Sequence, residues 1–187
     1  VRAGFKVIVR PHPEFVKRFN NKVAASAQEL ADEIAAGLVD LQTDFSSNTT
    51  VYTADLVVTD WSSIAQEFSY ATKRPSIFIN TPMKVMNPNW DQIEAPPLDI
   101  TLRDEIGVSL DIDDLDRIGE VAKDLMAEAD NWHLRIERIL KANIYHIGAS
   151  EKAMGEYLVW ATNRFEAARR QPEHRPAAGV PTPTVTQ

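Results

Sequence analysis

The stretch that most constrains the fold is "DLVVTDWSSIAQEFSYATKRPSIFIN", residues 55–80. "DLVVTD" (55–60) is a short apolar run of the kind that forms a strand buried on both faces. "SSIAQEFSYATK" (62–73) then places Ile64, Phe68 and Ala71 on one helical face, and "PSIFIN" (75–80) is a second buried run. Strand, helix and strand joined by connections this short make a βαβ unit in a parallel sheet. An earlier strand is expected at "FKVIVR" (5–10), ended by Pro11, so the fold class is α/β, a Rossmann-like parallel sheet flanked by helices. The ends of the first two strands, "RPHPE" and "TDWSS", are expected to lie in the same sheet.

Around this unit the pattern is mainly helical. Pro13 suits a first helical turn, and Phe15, Phe19, Val23, Ala27, Leu30, Ile34 and Leu38 follow at spacings of three and four. They predict one long helix over 13–37, with a break near Asn20 and Asn21. Residues 81–106, with prolines at 82, 88, 96 and 97, read as a long loop. "SLDIDDLDRIGEVAKDLMAEAD" reads as a helix with an acidic start that runs to about Ala129, and helices are expected over 132–141 and 150–170. Residues 1–170 are taken as one domain and the proline-rich residues 171–187 as a disordered tail.

Charge narrows the function. Arg2, Lys6, Arg10, Lys17, Arg18 and Lys22 face only Glu14 within residues 1–22, whereas residues 23–70 contain eight acids and neither Lys nor Arg. A net charge of −7 argues against nonspecific nucleic-acid binding, which needs basic surface to release phosphate counterions. The chain has no cysteine, which removes disulfides, thiolate metal sites and a cysteine nucleophile and fits a reducing cytoplasm. No run is long and apolar enough to span a bilayer. No His and carboxylate set has zinc spacing, no glycine-rich phosphate loop is present, and no metal or cofactor is expected.

Two strand ends carry candidate chemistry. In a parallel α/β sheet ligands bind beyond the carboxyl ends of strands, where helix N-termini offer N–H donors and partial positive charge. Ser62 and Ser63 stand at one such end and could seat a phosphate; equally, Ser63 and Gln66 fit a capping box that needs no ligand. His12, flanked by Pro11 and Pro13 with Arg10 nearby, could move a proton or hold a phosphate, or be structural. Lys84 and Arg103 are isolated cations in the loop, and the planar fork of Arg103 matches phosphate oxygens better.

"VIVRPHPE", "YTADLVVTDWSSIAQEF", "KRPSIFINTPMKV" and "NIYHIGASEKAMGEYL", in this order, resemble the C-terminal half of the CDP-glycerol glycerophosphotransferases of teichoic-acid biosynthesis. The resemblance spans roughly residues 5–160. It implies the donor-binding C-terminal domain of a GT-B type transferase, with a CDP-glycerol or similar CDP-polyol donor. His12 matches a histidine near the donor phosphates and is the expected catalytic residue. Arg10, Thr59, Asp60, Ser62, Ser63 and Arg103 are the expected donor-phosphate residues, and Glu67 is placed by analogy against the nucleotide ribose. A polymer or lipid-linked acceptor, a second catalytic histidine and contact with the inner face of the membrane would belong to an N-terminal half that these residues do not include, so the chain alone is expected to bind donor and turn over poorly. Two other readings stay open: a glycosyltransferase or epimerase of the same fold using a nucleotide sugar, and a non-catalytic α/β interaction module.

Overall fold

The computed structural model describes residues 1, 3–83, 85 and 87–169; Lys84 and the expected tail over 171–187 lie outside the described residues. Backbone contacts divide the chain into two units, Val1–Ala142 and Asn143–Gln187.

The first unit is α/β with parallel sheets flanked by helices. Strand β1 (Val7–Val9) pairs in parallel with β2 (Val39–Leu41), Val7 opposite Val39 and Val9 opposite Leu41. The second strand lies where the helical pattern runs out at Leu38, too short to announce itself. The long helix expected over 13–37 is three: α1 (Pro13–Arg18), α2 (Asn20–Glu29) and α3 (Ala31–Ala35). Phe19 (φ −132°, ψ 42°) and Leu30 (φ −100°, ψ 15°) leave helical geometry at the two breaks. Asparagines at 20 and 21 are weak helix formers, which lowers the cost of the first break.

After α4 (Thr49–Thr53) comes the βαβ unit the sequence predicts: β3 (Val57–Thr59), α5 (Ile64–Thr72) and β4 (Ser76–Asn80), with β3 and β4 parallel. Helix α5 buries Ala65, Phe68 and Ser69 completely, at i, i+3 and i+4. Ser69 Oγ and Ser76 Oγ hydrogen-bond at 3.0 Å, so neither buried hydroxyl is orphaned.

Two expectations fail here. The β1 and β3 ends do not share a sheet: among the described residues β1–β2 and β3–β4–β5 are separate sheets. The reason is that β1 takes β2 as its partner, while β3 keeps its expected partner β4 and that sheet extends to β5. The acidic "SLDIDD" stretch is not a helix start either, because Gly107–Asp111 is β5, parallel to β4 with Ser76 opposite Gly107 and Asn80 opposite Asp111. Leu110 is buried and Asp111 exposed, so the apolar residues rather than the acids set the local structure. Gly107 is needed for this close approach, since a Cβ there would lie 2.0 Å from the Ser76 carbonyl oxygen. The loop before it carries a 3-10 turn (Trp90–Gln92) and the short helices α6 (Leu98–Thr101) and α7 (Arg103–Ile106).

A 3-10 segment (Ile112–Arg117) leads into α8 (Ile118–Ala127) and α9 (Ala129–Asn143). Ile77 and Phe78 of β4 pack with Ala65, Ile106, Leu110, Leu125, Trp132 and Ile136 in one apolar cluster. At about 1.5–3 kcal/mol for each large apolar side chain fully buried, this cluster holds the sheet and therefore the strand ends in place.

The second unit contains α10 (Ser150–Arg169), within which no residue is buried. No helix among the described residues is long and apolar enough to cross a membrane.

Candidate functional site

At the carboxyl end of β3 the chain turns through Asp60, Trp61, Ser62 and Ser63 into α5. A cleft of about 180 Å³ opens there, lined among others by Asp60, Trp61, Ser62, Gln66, Asp99 and Arg103. The far wall comes from the α6–α7 segment, so the long loop of the sequence does reach the strand ends.

Arg103 organises this cleft. It opens α7 and is only 5% exposed. Its guanidinium carbon lies 3.8 Å from the Trp61 ring centroid and 4.6 Å from that of Phe78. Nη1 donates to the Asp60 carbonyl oxygen at 3.2 Å and Nη2 to Asn80 Oδ1 at 3.0 Å, while Asn80 Nδ2 donates to Asp111 Oδ1 at 2.8 Å. One side chain thus ties together the ends of β3, β4 and β5. Burial pushes its pKa down, opposed by the charges of Asp104 and Asp60. Guanidinium nonetheless stays charged in proteins.

No carboxylate lies within ion-pair distance of Arg103 among the described residues. Two aromatic faces and two neutral acceptors hold it instead. A buried cation with neutral partners and N–H donors to spare is suited to an incoming anion.

The turn into α5 brings Ser62 to the cleft, with Ser63 next to it on the helix, although the capping box does not form. Ser63 occupies the N-cap position with helical dihedrals and makes no side-chain cap; its Oγ donates to Glu67 Oε1 at 3.2 Å. Ser62 Oγ accepts a long hydrogen bond from the Ile64 N–H at 3.4 Å. Gln66 turns into the cleft, where Nε2 donates to the Asp99 carbonyl oxygen at 3.2 Å. Gln66 Oε1 is buried with no hydrogen-bond partner among the described residues. Trp61 Nε1 donates to the Thr81 carbonyl oxygen at 2.7 Å, which fixes the indole as a wall of the cleft.

The structure therefore brings Asp60, Ser62 and Arg103 together and sets Ser63 and Glu67 on the adjoining helix turn. Thr59 ends β3 opposite Phe78 and is not among the cleft-lining residues. Arg10 and His12 follow β1, in the other sheet, and neither is among the residues lining the cleft. Arg10 is occupied: Nη1 donates to the Ser47 carbonyl oxygen at 3.0 Å and to Thr50 Oγ1 at 2.8 Å. His12 is the N-cap of α1, with Nδ1 accepting from the Glu14 N–H at 3.1 Å, which leaves Nε2 as the nitrogen able to meet a ligand.

Sequence reasoning missed Gln66, Asn80 and Asp99 as parts of the site. Gln66 had a signal: a polar residue adjoining the buried positions 65, 68 and 69 of an amphipathic helix needs a partner outside that helix. Asn80 and Asp99 had none, because their roles depend on where the α6–α7 segment folds.

Residues 2–85 match the family of CDP-glycerol:poly(glycerophosphate) glycerophosphotransferases. This is the family that the strand-end motifs resemble, and it points to glycerophosphotransferase-like function in general. The match takes in Arg10, His12, Thr59, Asp60, Ser62, Ser63 and Glu67, and stops before Asp99 and Arg103. Comparison with curated proteins gives no match, and neither does comparison with solved structures.

Proposed function

We propose that this chain is the donor-binding part of a transferase that moves phosphoglycerol, or a related polyol phosphate, from a CDP-activated donor to an acceptor hydroxyl in the synthesis of a teichoic-acid-like polymer. The observation that carries this reading is the buried Arg103, held by neutral partners beside the N-terminus of α5 in a chain whose residues 2–85 match the glycerophosphotransferase family. In this reading an acceptor oxygen attacks the donor phosphorus that bears the glycerol. The bond from that phosphorus to the bridging oxygen breaks, and CMP leaves with the electron pair.

Catalysis of this kind rests on positioning and on stabilising the charge spread over the phosphoryl oxygens. Arg103 and the N-terminal turn of α5 supply that stabilisation, with the Ser62 hydroxyl as a further donor. Helix N-termini favour anions by their partial positive charge. His12, through Nε2, is the residue for holding a phosphate oxygen or protonating the leaving group. Glu67 keeps the ribose role given by analogy, and its hydrogen bond with Ser63 couples the two.

Calorimetric titration of the chain with CDP-glycerol, CDP-ribitol, CMP and UDP-N-acetylglucosamine tests this. The CDP-polyols are expected to bind more tightly than CMP, and preference for the UDP-sugar would overturn the assignment of donor.

A further inference from the structure

The cleft beside Arg103 has a surplus of hydrogen-bond acceptors. Gln66 is 7% exposed and its Oε1 has no partner among the described residues. Its amide cannot be turned round to remedy this. Nε2 already donates to the Asp99 carbonyl oxygen, and exchanging the two atoms would set oxygen against oxygen. Asp60 and Asp99 also line the cleft, and a carboxylate accepts and never donates when ionised. Against these acceptors stand the Arg103 guanidinium and the Ser62 hydroxyl.

A bare phosphate satisfies only Arg103 and leaves Gln66 Oε1 dry, a state that costs the full desolvation of that oxygen. The missing groups are hydrogen-bond donors, which in the phosphate ester of a polyol are hydroxyls, and they must sit close to the anion. Gln66 is the third residue of α5, within one turn of the helix end at which a phosphate is favoured. The cleft volume of about 180 Å³ suits one small phosphate ester rather than a whole nucleotide diphosphate.

We infer that Gln66 is a specificity-determining residue: its Oε1 accepts a hydroxyl of the transferred group, so that the cleft takes the phosphate ester of a small polyol, with its phosphate on Arg103. This rests on the proposed function and adds to it the residue that reads the polyol. A site built to accept a hydroxyl rejects the analogue lacking it far more strongly than an apolar pocket rejects a misfit, because the buried acceptor is then left unpaired.

The test compares glycerol 3-phosphate with propyl phosphate, which lacks both hydroxyls, and with inorganic phosphate, on the full chain. Wild type is expected to bind glycerol 3-phosphate at least about tenfold more tightly than propyl phosphate. In Gln66→Leu that ratio is expected to fall to near one, with the affinity for propyl phosphate changed less than threefold. An unchanged ratio in Gln66→Leu, or no discrimination by wild type, overturns the inference while leaving phosphate binding intact. If no phosphate binds and no signal from Arg103 moves, the proposed function itself fails. Should Gln66→Leu not fold, the side-chain amide resonances of Gln66 in wild type decide: glycerol 3-phosphate is expected to shift them and propyl phosphate is not, and equal shifts refute the inference.

Discussion

Replacing Arg103 with methionine separates its two possible duties, binding a ligand and holding the fold. On the stability side the variant loses contacts to the Trp61 and Phe78 rings, each worth about 0.5–2 kcal/mol, and leaves Asn80 Oδ1 and the Asp60 carbonyl oxygen without the donors they now accept from. Against this, it removes a charge that burial disfavours and that Asp104 and Asp60 offset only through space, with no ion pair among the described residues. Methionine fills a similar volume and tolerates irregular surroundings. The opposing terms leave a net change of about 2 kcal/mol or less, in either direction. On the binding side, losing charge-assisted hydrogen bonds to a phosphate costs about 1.5–3 kcal/mol, or roughly 10- to 150-fold in affinity. Urea denaturation and calorimetric titration with CDP-glycerol read the two effects separately. A folded Arg103→Met that binds CDP-glycerol within threefold of wild type would refute the reasoning. A loss of more than about 4 kcal/mol of stability would show Arg103 to be a structural staple first.

Other substitutions probe the supports of the site. His12→Ala removes the α1 cap and is expected to cost about 1 kcal/mol in urea denaturation, whereas His12→Asn keeps a capping acceptor and restores most of that loss; if Nε2 also meets the donor, both should weaken CDP-glycerol binding in calorimetric titration. Gly107→Ala drives a Cβ into the Ser76 carbonyl and should cost about 3 kcal/mol or more, seen as a lower urea midpoint. Asp44 accepts from the Ser46 N–H at 2.9 Å and the Ser46 hydroxyl at 3.0 Å, which lower its pKa below the usual aspartate value. A depressed folded pKa contributes stability above the unfolded value and loses it as pH falls through the folded one, so Asp44→Asn should lower stability at neutral pH, make little difference below the folded pKa, and thereby flatten the acid limb of the stability profile. Carbon NMR titration of the Asp44 carboxyl checks the direction of the shift directly.

The βαβ unit was legible because both its strands and its helix carry their own periodic signal within 26 residues, and the buried positions Ala65, Phe68 and Ile77 follow that signal. The three-residue β2 and the two-sheet arrangement were not, since a strand that short has no periodicity and its pairing is decided by distant residues. The acids at 111, 113, 114 and 116 were misleading: Asp111 ends β5, and Asp113, Asp114 and Asp116 lie in the 3-10 segment that follows it. In the site, Ser62 and Asp60 were readable from their place after a short apolar strand, although β3 itself is half-exposed at Val58. Arg103 was readable as a cation in a loop, whereas its aromatic sandwich and the unpartnered Gln66 oxygen arise only when α6 and α7 fold against α5.

The central claim is that the Asp60–Arg103 cleft receives the phosphate of a CDP-activated polyol, and the Arg103 Nε–H resonance of the labelled chain reports on it most directly. The account predicts that CDP-glycerol shifts this resonance together with the Ile64 and Ala65 amides at the start of α5, and that cytidine, which has no phosphate, leaves all three in place. Equal shifts with cytidine and CDP-glycerol, or none with either, would contradict it.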